Sequence, residues 1–447
     1  MRFPALLPLL LALLSPARAE PPKREAAVVA GYVDGVSHDP GEALALRAHA
    51  LHGAFAWDVF RVGADERPLA LQADVPAEPR FIPPEGFRTG AGWPVTCTIP
   101  LSRDWPSGLY AVKLADPRAR SAFYVPFVLR GPPGPPVVVM ANTFTWQAYN
   151  PWGGGSFYKG EEPREPEAGF ETLVSLARPD LAASTDSPKG HTGYAEKPIH
   201  RFLQARRIPY RQIADQDLHG DPAALAACKA FVITTHAEYW SREMVDRLEA
   251  FLAAGGSVLN LSGNVLWWKV TLRGDQLECR KDRGLHAQTG ERGGLWKELG
   301  VPSRPLLGVQ SDPRGLHTYA PFRVLAPGHW LLARRGLTRG ALLAAHGENR
   351  GGGSGGETDK AGPGTPPGAV LLAHGLNPGD GGGDIVFFET PAGGAVLSAG
   401  SISVAGCLET DATLADMVDR FLVRYAGVTP RPSAYRPIRS PDAAPFH

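Results

Sequence analysis

The sequence predicts an α/β protein in which an antiparallel β-sandwich is followed by a mostly parallel α/β domain. Three observations support this prediction. Short runs of alternating apolar and polar residues occupy the first third of the chain, as in half-buried antiparallel strands. Later runs are continuously apolar and alternate with helical patterns, as in a parallel sheet covered on both faces. The 52 glycines and 43 prolines among 447 residues indicate numerous turns and loops.

The first 19 residues have the three parts of a secretory signal peptide. Arg2 precedes an apolar stretch at residues 5–14, and the sequence ARA at residues 17–19 has the small-x-small pattern of a cleavage site. The apolar stretch is too short to cross a bilayer as a helix. We therefore expect residues 1–19 to be removed and the mature protein to be exported to the periplasm or the extracellular space, without a membrane partner.

Composition excludes two classes of function. Lys and Arg number 46 against 45 Asp and Glu, so a formal net charge of +1 offers no basic surface for nucleic acid. The four cysteines stand far apart and form no Cys-x-x-Cys pair, which excludes a zinc ribbon. We assign no disulfide, because a chain of this length needs none and buried free thiols are the commoner state.

Residues 27–130 predict the β-sandwich. Turns rich in Pro, Gly and Asp separate four runs of period two, at residues 43–48, 56–60, 109–114 and 123–127. No helical pattern lies between these runs, which is typical of an antiparallel sandwich. The sequence GPPGPP at residues 131–136 cannot continue a strand or a helix, and it predicts a stiff hinge between two domains.

Residues 137–430 predict the α/β domain. Continuous apolar runs predict strands at residues 137–140, 230–233, 257–261 and 395–398. Helical periodicity predicts helices at residues 242–254 and 413–425. Ser241 is the expected N-cap of the first of these helices. Residues 431–447 are predicted to form a C-terminal tail.

The stretch at residues 349–368 is rich in glycine, and we predict that it is a flexible surface insertion in the α/β domain. Residues 352–356 match the GxSxG pattern of serine hydrolases. A nucleophile elbow needs an apolar strand before the serine and a helix after it, and this stretch has neither. The match is therefore rejected, and the sequence has no zinc-protease, Walker or dinucleotide-binding motif elsewhere.

Chemically functional residues are concentrated where the predicted strands end, which is where ligands bind in open α/β sheets. The first three strands of the α/β domain are followed by an aromatic loop at residues 142–158, by HAEYW at residues 236–240 and by SGN at residues 262–264. A carboxylate, an imidazole, an amide and phenols could converge there without a serine or cysteine nucleophile. Such a set favours catalysis by an activated water, held by a metal or by a general base.

The residues alone leave structural alternatives open. Glu238 and His236 could simply precede a helix, whose dipole favours a carboxylate at its N-terminus. Tyr149 and Trp146 could be ordinary aromatic packing beneath a loop. If these oxygen atoms do bind a metal, phenolate and carboxylate suit a ferric ion better than zinc or cuprous copper.

Four long motifs follow one another along the chain. They are TWQAYNPWGGGSFY at residues 145–158, HAEYW at 236–240, DRLEAF with the following GG and SGN at 246–264, and GSISVAG at 400–406. Together they resemble the C-terminal catalytic part of the large subunit of N,N-dimethylformamidase and its relatives. The resemblance spans about residues 30–430. It implies an immunoglobulin-like (Ig-like) sandwich followed by an α/β domain of the flavodoxin-like or glutamine-amidotransferase-like type.

The resemblance also implies a mononuclear iron, expected as Fe³⁺, that two tyrosines and one glutamate bind. Carried over to the matching positions, Glu238 is the glutamate ligand and Tyr149 is one tyrosine ligand, with Tyr158 as its rival. Tyr110 is the expected second tyrosine ligand. Tyr110 can reach the iron only if the sandwich packs its edge against the α/β domain.

The implied reaction is hydrolysis of the C–N bond of a small or N-substituted amide. Three catalytic residues surround the iron, and they are His236, Asn264 and Lys281, with Lys269 as the rival of Lys281. The metal would activate the carbonyl or a water, His236 or Glu238 would handle the proton, and the amide and ammonium groups would orient the substrate or stabilise the oxyanion. The predicted substrate-binding residues are Trp146, Asn150 and Trp240.

The sequence departs from the family pattern in places that bear on the substrate. Ala237 stands where relatives more often carry an acidic residue, no counterpart of the extended N-terminal region of the large subunit is expected, and a signal peptide is predicted. The amide substrate, a homo-oligomer and a small partner subunit therefore stay open. One alternative is a glutamine-amidotransferase-like fold without its cysteine. The other is an exported, non-catalytic module that binds a carbohydrate or another ligand on Trp146, Trp152, Trp240, Trp267 and Trp268.

Overall fold

The computed structural model describes residues 23–25, 27–158, 172–188, 190–348 and 351–431, and its fold is mixed α/β. The predicted signal peptide at residues 1–19 and residues 432–447 of the predicted tail lie outside the described residues. The N-terminal part contains β1 (Lys23–Arg24), β2 (Val29–Val33), β3 (Ser37–His38), β4 (Ala43–Ala50), β5 (Ala54–Arg61), β6 (Ala70–Pro76), β7 (Phe81–Ile82), α1 (Gly86–Thr89), β8 (Cys97–Pro100), β9 (Gly108–Asp116) and β10 (Ser121–Leu129).

Two sheets of the N-terminal part enclose one hydrophobic core. Their strand orders are β3-β10-β9-β5-β6 and β2-β4-β8, and every pairing is antiparallel except that of β3 with β10. Strand β4 shows why the sequence alternates, because Leu44 and Leu46 are buried in this core whereas Ala43 and Arg47 face outward. The period-two runs of the sequence thus form antiparallel strands that bury one face.

The rest of the chain forms the α/β part. Its elements are β11 (Val137–Ala141), α2 (Thr143–Tyr149), β12 (Leu173–Ser175), α3 (Lys197–Ala205), β13 (Tyr210–Ala214), α4 (Asp215–Gly220), β14 (Ala230–Thr235), β15 (Tyr239–Trp240), α5 (Arg242–Ala253), β16 (Ser257–Ser262), β17 (Trp268–Arg273), β18 (Gln276–Cys279), α6 (Arg304–Leu307), β19 (Gln310–Asp312), β20 (Tyr319–Ala320), β21 (Phe322–Val324), β22 (Leu342–Leu343), β23 (Ser354–Gly355), β24 (Thr358–Lys360), β25 (Val370–Gly375), β26 (Asp384–Glu389), β27 (Ala395–Ala399) and α7 (Ala412–Ala426). Short 3₁₀ turns lie at Tyr194–Glu196, Trp296–Leu299, Pro313–Gly315, Trp330–Leu332, Pro378–Asp380 and Val404–Cys407.

A nine-stranded sheet with the order β13-β11-β14-β16-β27-β26-β25-β21-β22 organises this part. The pairings from β13 to β27 are parallel, whereas those from β27 to β22 are antiparallel. The prediction of a mostly parallel sheet is therefore corrected to a mixed one. The physical reason is the tight turn between β26 and β27, in which Thr390 N–H donates to Gly394 O, because so short a connection can join only antiparallel strands.

Helices cover both faces of the parallel strands. Along β11, Val137 and Val139 pack on the side of α3 and α7, whereas Val138 and Met140 pack on the side of α2 and α5. Both faces are apolar, which explains why the sequence of these strands is continuously apolar. Ser241 caps α5 as predicted, since its hydroxyl accepts a hydrogen bond from Met244 N–H.

A flexible surface insertion was predicted at residues 349–368, but residues 351–360 do not form one, whereas residues 361–368 are half-buried or exposed. Strand β23 pairs with β20, strand β24 pairs with β19, and both β23 and β24 are buried. A Cβ added to Gly352 would lie 2.1 Å from the carbonyl carbon of Ala320, and one on Gly355 would lie 2.4 Å from the ring of Tyr319. The glycines therefore allow backbones to approach closely, rather than conferring flexibility.

Polar contacts join the two parts of the molecule. Arg130 forms an ion pair with Asp217 at 3.0 Å, and the indole N–H of Trp152 donates to Glu25 Oε2 at 2.6 Å. The second contact fixes the aromatic loop of the α/β part against the N-terminal part. Within the described ranges, no helix combines the length and the hydropathy that crossing a membrane requires.

Candidate functional site

The site lies at the carboxyl ends of β11, β14 and β16. Strand β14 ends at Thr235, whose φ of 61° turns the chain sharply, and His236 and Glu238 follow at once. Helix α2 begins just after β11 at the same edge, and Thr145 on this helix accepts a hydrogen bond from Glu238 N–H at 3.2 Å. The topology therefore brings the aromatic loop and the HAEYW segment together, as the rule for open α/β sheets predicts.

Two tyrosines donate hydrogen bonds to the two oxygen atoms of one carboxylate. The hydroxyl of Tyr149 donates to Glu238 Oε2 at 3.0 Å, and that of Tyr158 donates to Oε1 at 2.8 Å. The two phenol rings stack with centroids 4.3 Å apart and an interplanar angle of 21°. Tyr239 adds a hydrogen bond of 2.8 Å to the hydroxyl of Tyr158. Three hard oxygen groups thus converge at one point, and we call Tyr149, Tyr158 and Glu238 the oxygen cluster.

An imidazole and a second carboxylate stand beside the oxygen cluster. His236 Nε2 lies 3.3 Å from Glu238 Oε2 and 3.7 Å from Glu357 Oε1. Burial opposes a charge on His236, but the carboxylate of Glu357 overrides it and raises the pKa of the imidazole. Burial would raise the pKa of Glu357, yet the neighbouring His236 holds that pKa below its usual value. His236 and Glu357 therefore form an ion pair in which His236 is buried and Glu357 is partly exposed.

Lys281 and Asn264 complete the surroundings of the cluster. The ammonium nitrogen of Lys281 lies 3.4 Å from the centroid of the Tyr158 ring, and burial lowers the pKa of this lysine. Asn264 has a φ of 55°, and its backbone N–H donates to Asp359 Oδ1 at 2.6 Å. The side-chain oxygen of Asn264 is buried and accepts no hydrogen bond from the described residues. This oxygen is available to a ligand.

Burial governs the protonation of the oxygen cluster. Burial, reinforced by the charge of Glu238, raises the pKa of Tyr149 and of Tyr158 well above that of an ordinary phenol. Burial also raises the pKa of Glu238, and Glu357 acts in the same direction while His236 opposes it. Without a bound cation, both phenols therefore stay protonated, and each donates a hydrogen bond to the carboxylate.

A cavity of about 360 Å³ opens onto these groups. Its polar side is formed by Tyr149, Tyr158, Glu238, Asn264, Lys281 and Glu357. Its other side is formed by Trp267, Trp268, Ser311, Asp312, Pro313 and Leu316. A second cavity, of about 320 Å³, lies between the N-terminal strands and α2 and contains no residue of the oxygen cluster. We place the candidate site in the first cavity, because the reactive groups converge there.

A family model described as "N,N-dimethylformamidase beta subunit-like, C-terminal" matches residues 56–417, which is well over half of the chain. The chain belongs to this family. The match confirms the resemblance found in the sequence motifs, and it covers every residue of the cavity. A comparison with curated proteins gave no match.

The tyrosine that stands beside Tyr149 at Glu238 is Tyr158 and not Tyr110. Tyr110 lies on β9 in the core of the N-terminal part, stacks on Trp105 with ring centroids 5.6 Å apart, and donates a hydrogen bond to Pro106 O at 2.6 Å. The prediction of Tyr110 was wrong because its side chain points into that core and not toward the α/β part. Tyr158, the rival of Tyr149 in the sequence, stands beside Tyr149 in the site.

The structure brings together the predicted catalytic residues but not the predicted substrate-binding residues. Lys281 lines the cavity, whereas its rival Lys269 forms an ion pair with Glu291 at 2.8 Å outside it. The predicted substrate-binding residues are buried and make structural hydrogen bonds, namely Trp146 to Glu196, Trp240 to the carbonyl of Ala237, and Asn150 to Trp152 N–H. Trp152 is buried as well, so three of the five tryptophans proposed as a stacking surface are inaccessible.

Sequence reasoning missed Glu357 and Asp359, which β24 brings to the site. Asp359 accepts the N–H groups of Asn264 and Val265, and burial raises its pKa to about 7. A Cβ added to Gly263 would lie 2.3 Å from the carbonyl oxygen of Glu357, so the SGN segment and β24 are in close contact. A signal existed in the sequence, since two acidic residues stand in a stretch of otherwise small residues.

A metal in this dimethylformamidase-like site would need the phenol oxygens. Among the residues that the structure describes, no group of three or more His, Cys, Asp or Glu side chains could hold a metal. Tyr149, Tyr158 and Glu238 offer three hard oxygen donors that already point at one another. Such a donor set fits a ferric ion better than zinc or copper.

Proposed function

We propose that this protein is an exported, metal-dependent amidohydrolase that hydrolyses the C–N bond of a small or N-substituted amide. The observation that carries the proposal is the oxygen cluster, in which the hydroxyls of Tyr149 and Tyr158 meet the two oxygens of Glu238. Membership of the dimethylformamidase-like family supports the reaction type. The cavity beside the cluster supports a small-molecule substrate.

In this proposal, Tyr149, Tyr158 and Glu238 hold a mononuclear iron as Fe³⁺. Both phenols donate to the same carboxylate, so one cation in place of the two phenol protons would leave every oxygen with a partner. Burial disfavours the phenolate form, and a trivalent cation is the kind of charge that reverses this preference. When bound, the ferric ion supplies Lewis acidity that polarises an amide carbonyl and makes a water more acidic.

The surrounding residues supply proton transfer and charge stabilisation. The oxygen of water forms a bond to the acyl carbon, the C–N bond breaks, and the amine nitrogen leaves with a proton. Glu357 accepts the proton that the water loses, because it is the carboxylate of the ion pair beside Glu238. The protonated His236 donates the proton that leaves with the amine nitrogen, and Glu357 then returns its proton to His236. The ammonium of Lys281 stabilises the oxyanion, and the free side-chain oxygen of Asn264 orients the substrate.

Export and assembly are part of the same proposal. Residues 1–19 are the signal peptide, so the mature chain begins at Glu20. The family description names a beta subunit, which motivates a search for a homo-oligomer or a small partner subunit. Mass spectrometry of the exported protein tests the cleavage, and a chain that still carries residue 1 after export would overturn it.

The experiment that tests the proposed reaction is an amide screen with the purified mature protein. Amine release is measured from formamide, acetamide and their N-alkyl derivatives. We expect hydrolysis by the wild-type protein and a loss of about 100-fold or more in Glu238→Gln. Glu298→Gln is the matched control, because Glu298 forms an exposed ion pair with Arg283 away from the cavity. An iron-loaded wild-type protein that hydrolyses none of these amides overturns the proposal.

A further inference from the structure

One part of the cavity lining is mostly apolar and open to solvent. We call it the wall, and it consists of Trp267, Trp268, Ser311, Asp312, Pro313 and Leu316. Leu316 is 48% exposed, and Trp267 and Trp268 are only half-buried, although all three line the cavity. Exposed apolar side chains that gather around a cavity mark a surface that a ligand covers. This wall and the oxygen cluster line the same cavity, so a substrate at the cluster can extend onto the wall.

The wall is fixed to the oxygen cluster through the backbone. The N–H groups of Trp267 and Trp268 both donate to the carbonyl oxygen of Glu238, each at 3.0 Å. The ammonium of Lys297 lies 4.4 Å from the centroid of the Trp267 ring, and that of Lys281 lies 5.2 Å from the centroid of the Trp268 ring. These contacts hold both indoles, so a group bound against them keeps a constant position relative to Glu238.

The wall offers no unpaired carboxylate to a positively charged substrate. Asp312 is the one acidic residue among the described lining residues of this wall, and Arg314 binds it at 2.6 Å. Ser311 is the other polar residue there. A neutral substituent therefore fits this wall better than a positively charged one.

The size of the cavity also favours a large apolar substituent. Its volume of about 360 Å³ falls within the range of about 300–1,000 Å³ that is typical of sites for drug-sized ligands. An amide with only methyl substituents would leave much of this space to water. A larger apolar substituent would displace that water from the indoles, which is favourable.

We infer that the substrate is a neutral amide with a bulky apolar substituent, preferably an aromatic ring, that lies against Trp267, Trp268 and Leu316 while the C–N bond lies at the oxygen cluster. This inference rests on the proposed amidohydrolase function. It adds the substituent of the amide, because the oxygen cluster accounts only for the C–N bond.

The test compares kcat/KM for four amides, which are formamide, acetamide and the isomers N-benzylformamide and phenylacetamide. We expect at least one aromatic amide to exceed its small counterpart by about 10- to 100-fold. The preferred isomer shows whether the ring belongs on the nitrogen or on the acyl side. Trp267→Ala and Leu316→Ala should each lower the ratio of aromatic to small amide by about tenfold. Leu342→Ala is the matched control, because Leu342 is a 58% exposed leucine on strand β22, away from the cavity.

The test distinguishes a failure of this inference from a failure of the proposed amidohydrolase function. If the wild-type protein hydrolyses the small amides as well as the aromatic ones, or if Trp267→Ala and Leu316→Ala keep the wild-type ratio, this inference is wrong and the proposed function stands. If an iron-loaded protein hydrolyses none of the four amides, both are wrong. Because Leu316 is exposed, Leu316→Ala is expected to fold, so an unfolded Trp267→Ala would still leave a decisive variant.

Discussion

The rings of Tyr149 and Tyr158 stack with centroids 4.3 Å apart, and their hydroxyls bind different oxygens of Glu238. Helix α2 ends at Tyr149, and a loop with three consecutive glycines returns the chain to Tyr158. A Cβ added to Gly153 would lie 2.4 Å from the backbone nitrogen of Phe87. The loop can therefore close only because glycine lets it pass against α1 of the N-terminal part, so α1 helps to position Tyr158.

Replacing Glu357 tests the assigned proton path. Glu357→Gln should lower kcat for amide hydrolysis by about 100- to 10,000-fold, because it removes the carboxylate that pairs with His236. The iron content should stay at the wild-type level, since Glu357 is not one of the proposed ligands. Steady-state kinetics and elemental analysis of the same sample measure both quantities. A variant that loses its iron, or one that keeps full activity, would show that the role given to Glu357 is wrong.

The close contact between the SGN segment and β24 predicts a packing defect. Gly263→Ala should lower the free energy of unfolding by about 1–3 kcal/mol, because its Cβ would lie 2.3 Å from the carbonyl oxygen of Glu357. Urea denaturation measures the change. Gly220→Ala is the control, since a Cβ at Gly220 meets no atom within 4 Å. Equal unfolding midpoints for Gly263→Ala and the wild-type protein would contradict the described contact.

Stability should depend on pH through Glu196. Burial raises the pKa of this carboxyl from 4.5 to about 8, although the N–H groups of Asn142 and Trp146 donate to it. The folded protein thus keeps a proton that the unfolded chain releases between these values. This contribution is fully present below pH 4.5 and is lost as the pH rises through about 8, by at most about 1.4 kcal/mol per pH unit.

Glu196→Gln removes this titration and isolates its effect. Buried acids that do not interact with Glu196, such as Asp359 with a pKa of about 7, titrate in both proteins and cancel in the difference. The free energy of unfolding of the variant minus that of the wild-type protein should therefore rise between about pH 5 and pH 8. Urea denaturation at several pH values across this window measures it. A difference that does not change with pH would contradict a neutral Glu196.

The pattern of the sequence was sufficient to predict the strands whose carboxyl ends form the site. Continuous apolar runs identified β11, β14 and β16, Ser241 identified the start of α5, and the residues that follow the strands included Glu238, His236 and Asn264. Such strands can be predicted from a short stretch of sequence, because a parallel strand that is buried on both faces is apolar along its whole length. Lys281 and Tyr149 came from the family motifs, and the structure places both at the cavity.

The features that sequence reasoning missed depend on contacts between distant segments. The glycines of residues 351–356 indicated flexibility, and only the folded structure shows β20 and β23 lying against each other there. Tyr110 and Tyr158 are the same residue type in comparable aromatic surroundings, and only the direction of each side chain separates a residue of the N-terminal core from one that contacts Glu238. Similarly, composition cannot show that Trp146 and Trp240 are buried while Trp267 lines the cavity.

The most direct test of the central claim is elemental analysis with a visible absorption spectrum of the purified mature protein and of three Tyr→Phe variants. We predict near-stoichiometric iron and a phenolate-to-iron charge-transfer band in the wild-type protein. Tyr149→Phe and Tyr158→Phe should weaken or lose both, whereas Tyr110→Phe should keep both because its hydroxyl binds the carbonyl of Pro106. A colourless, metal-free wild-type protein, or a band that disappears in Tyr110→Phe and persists in Tyr158→Phe, would contradict the account.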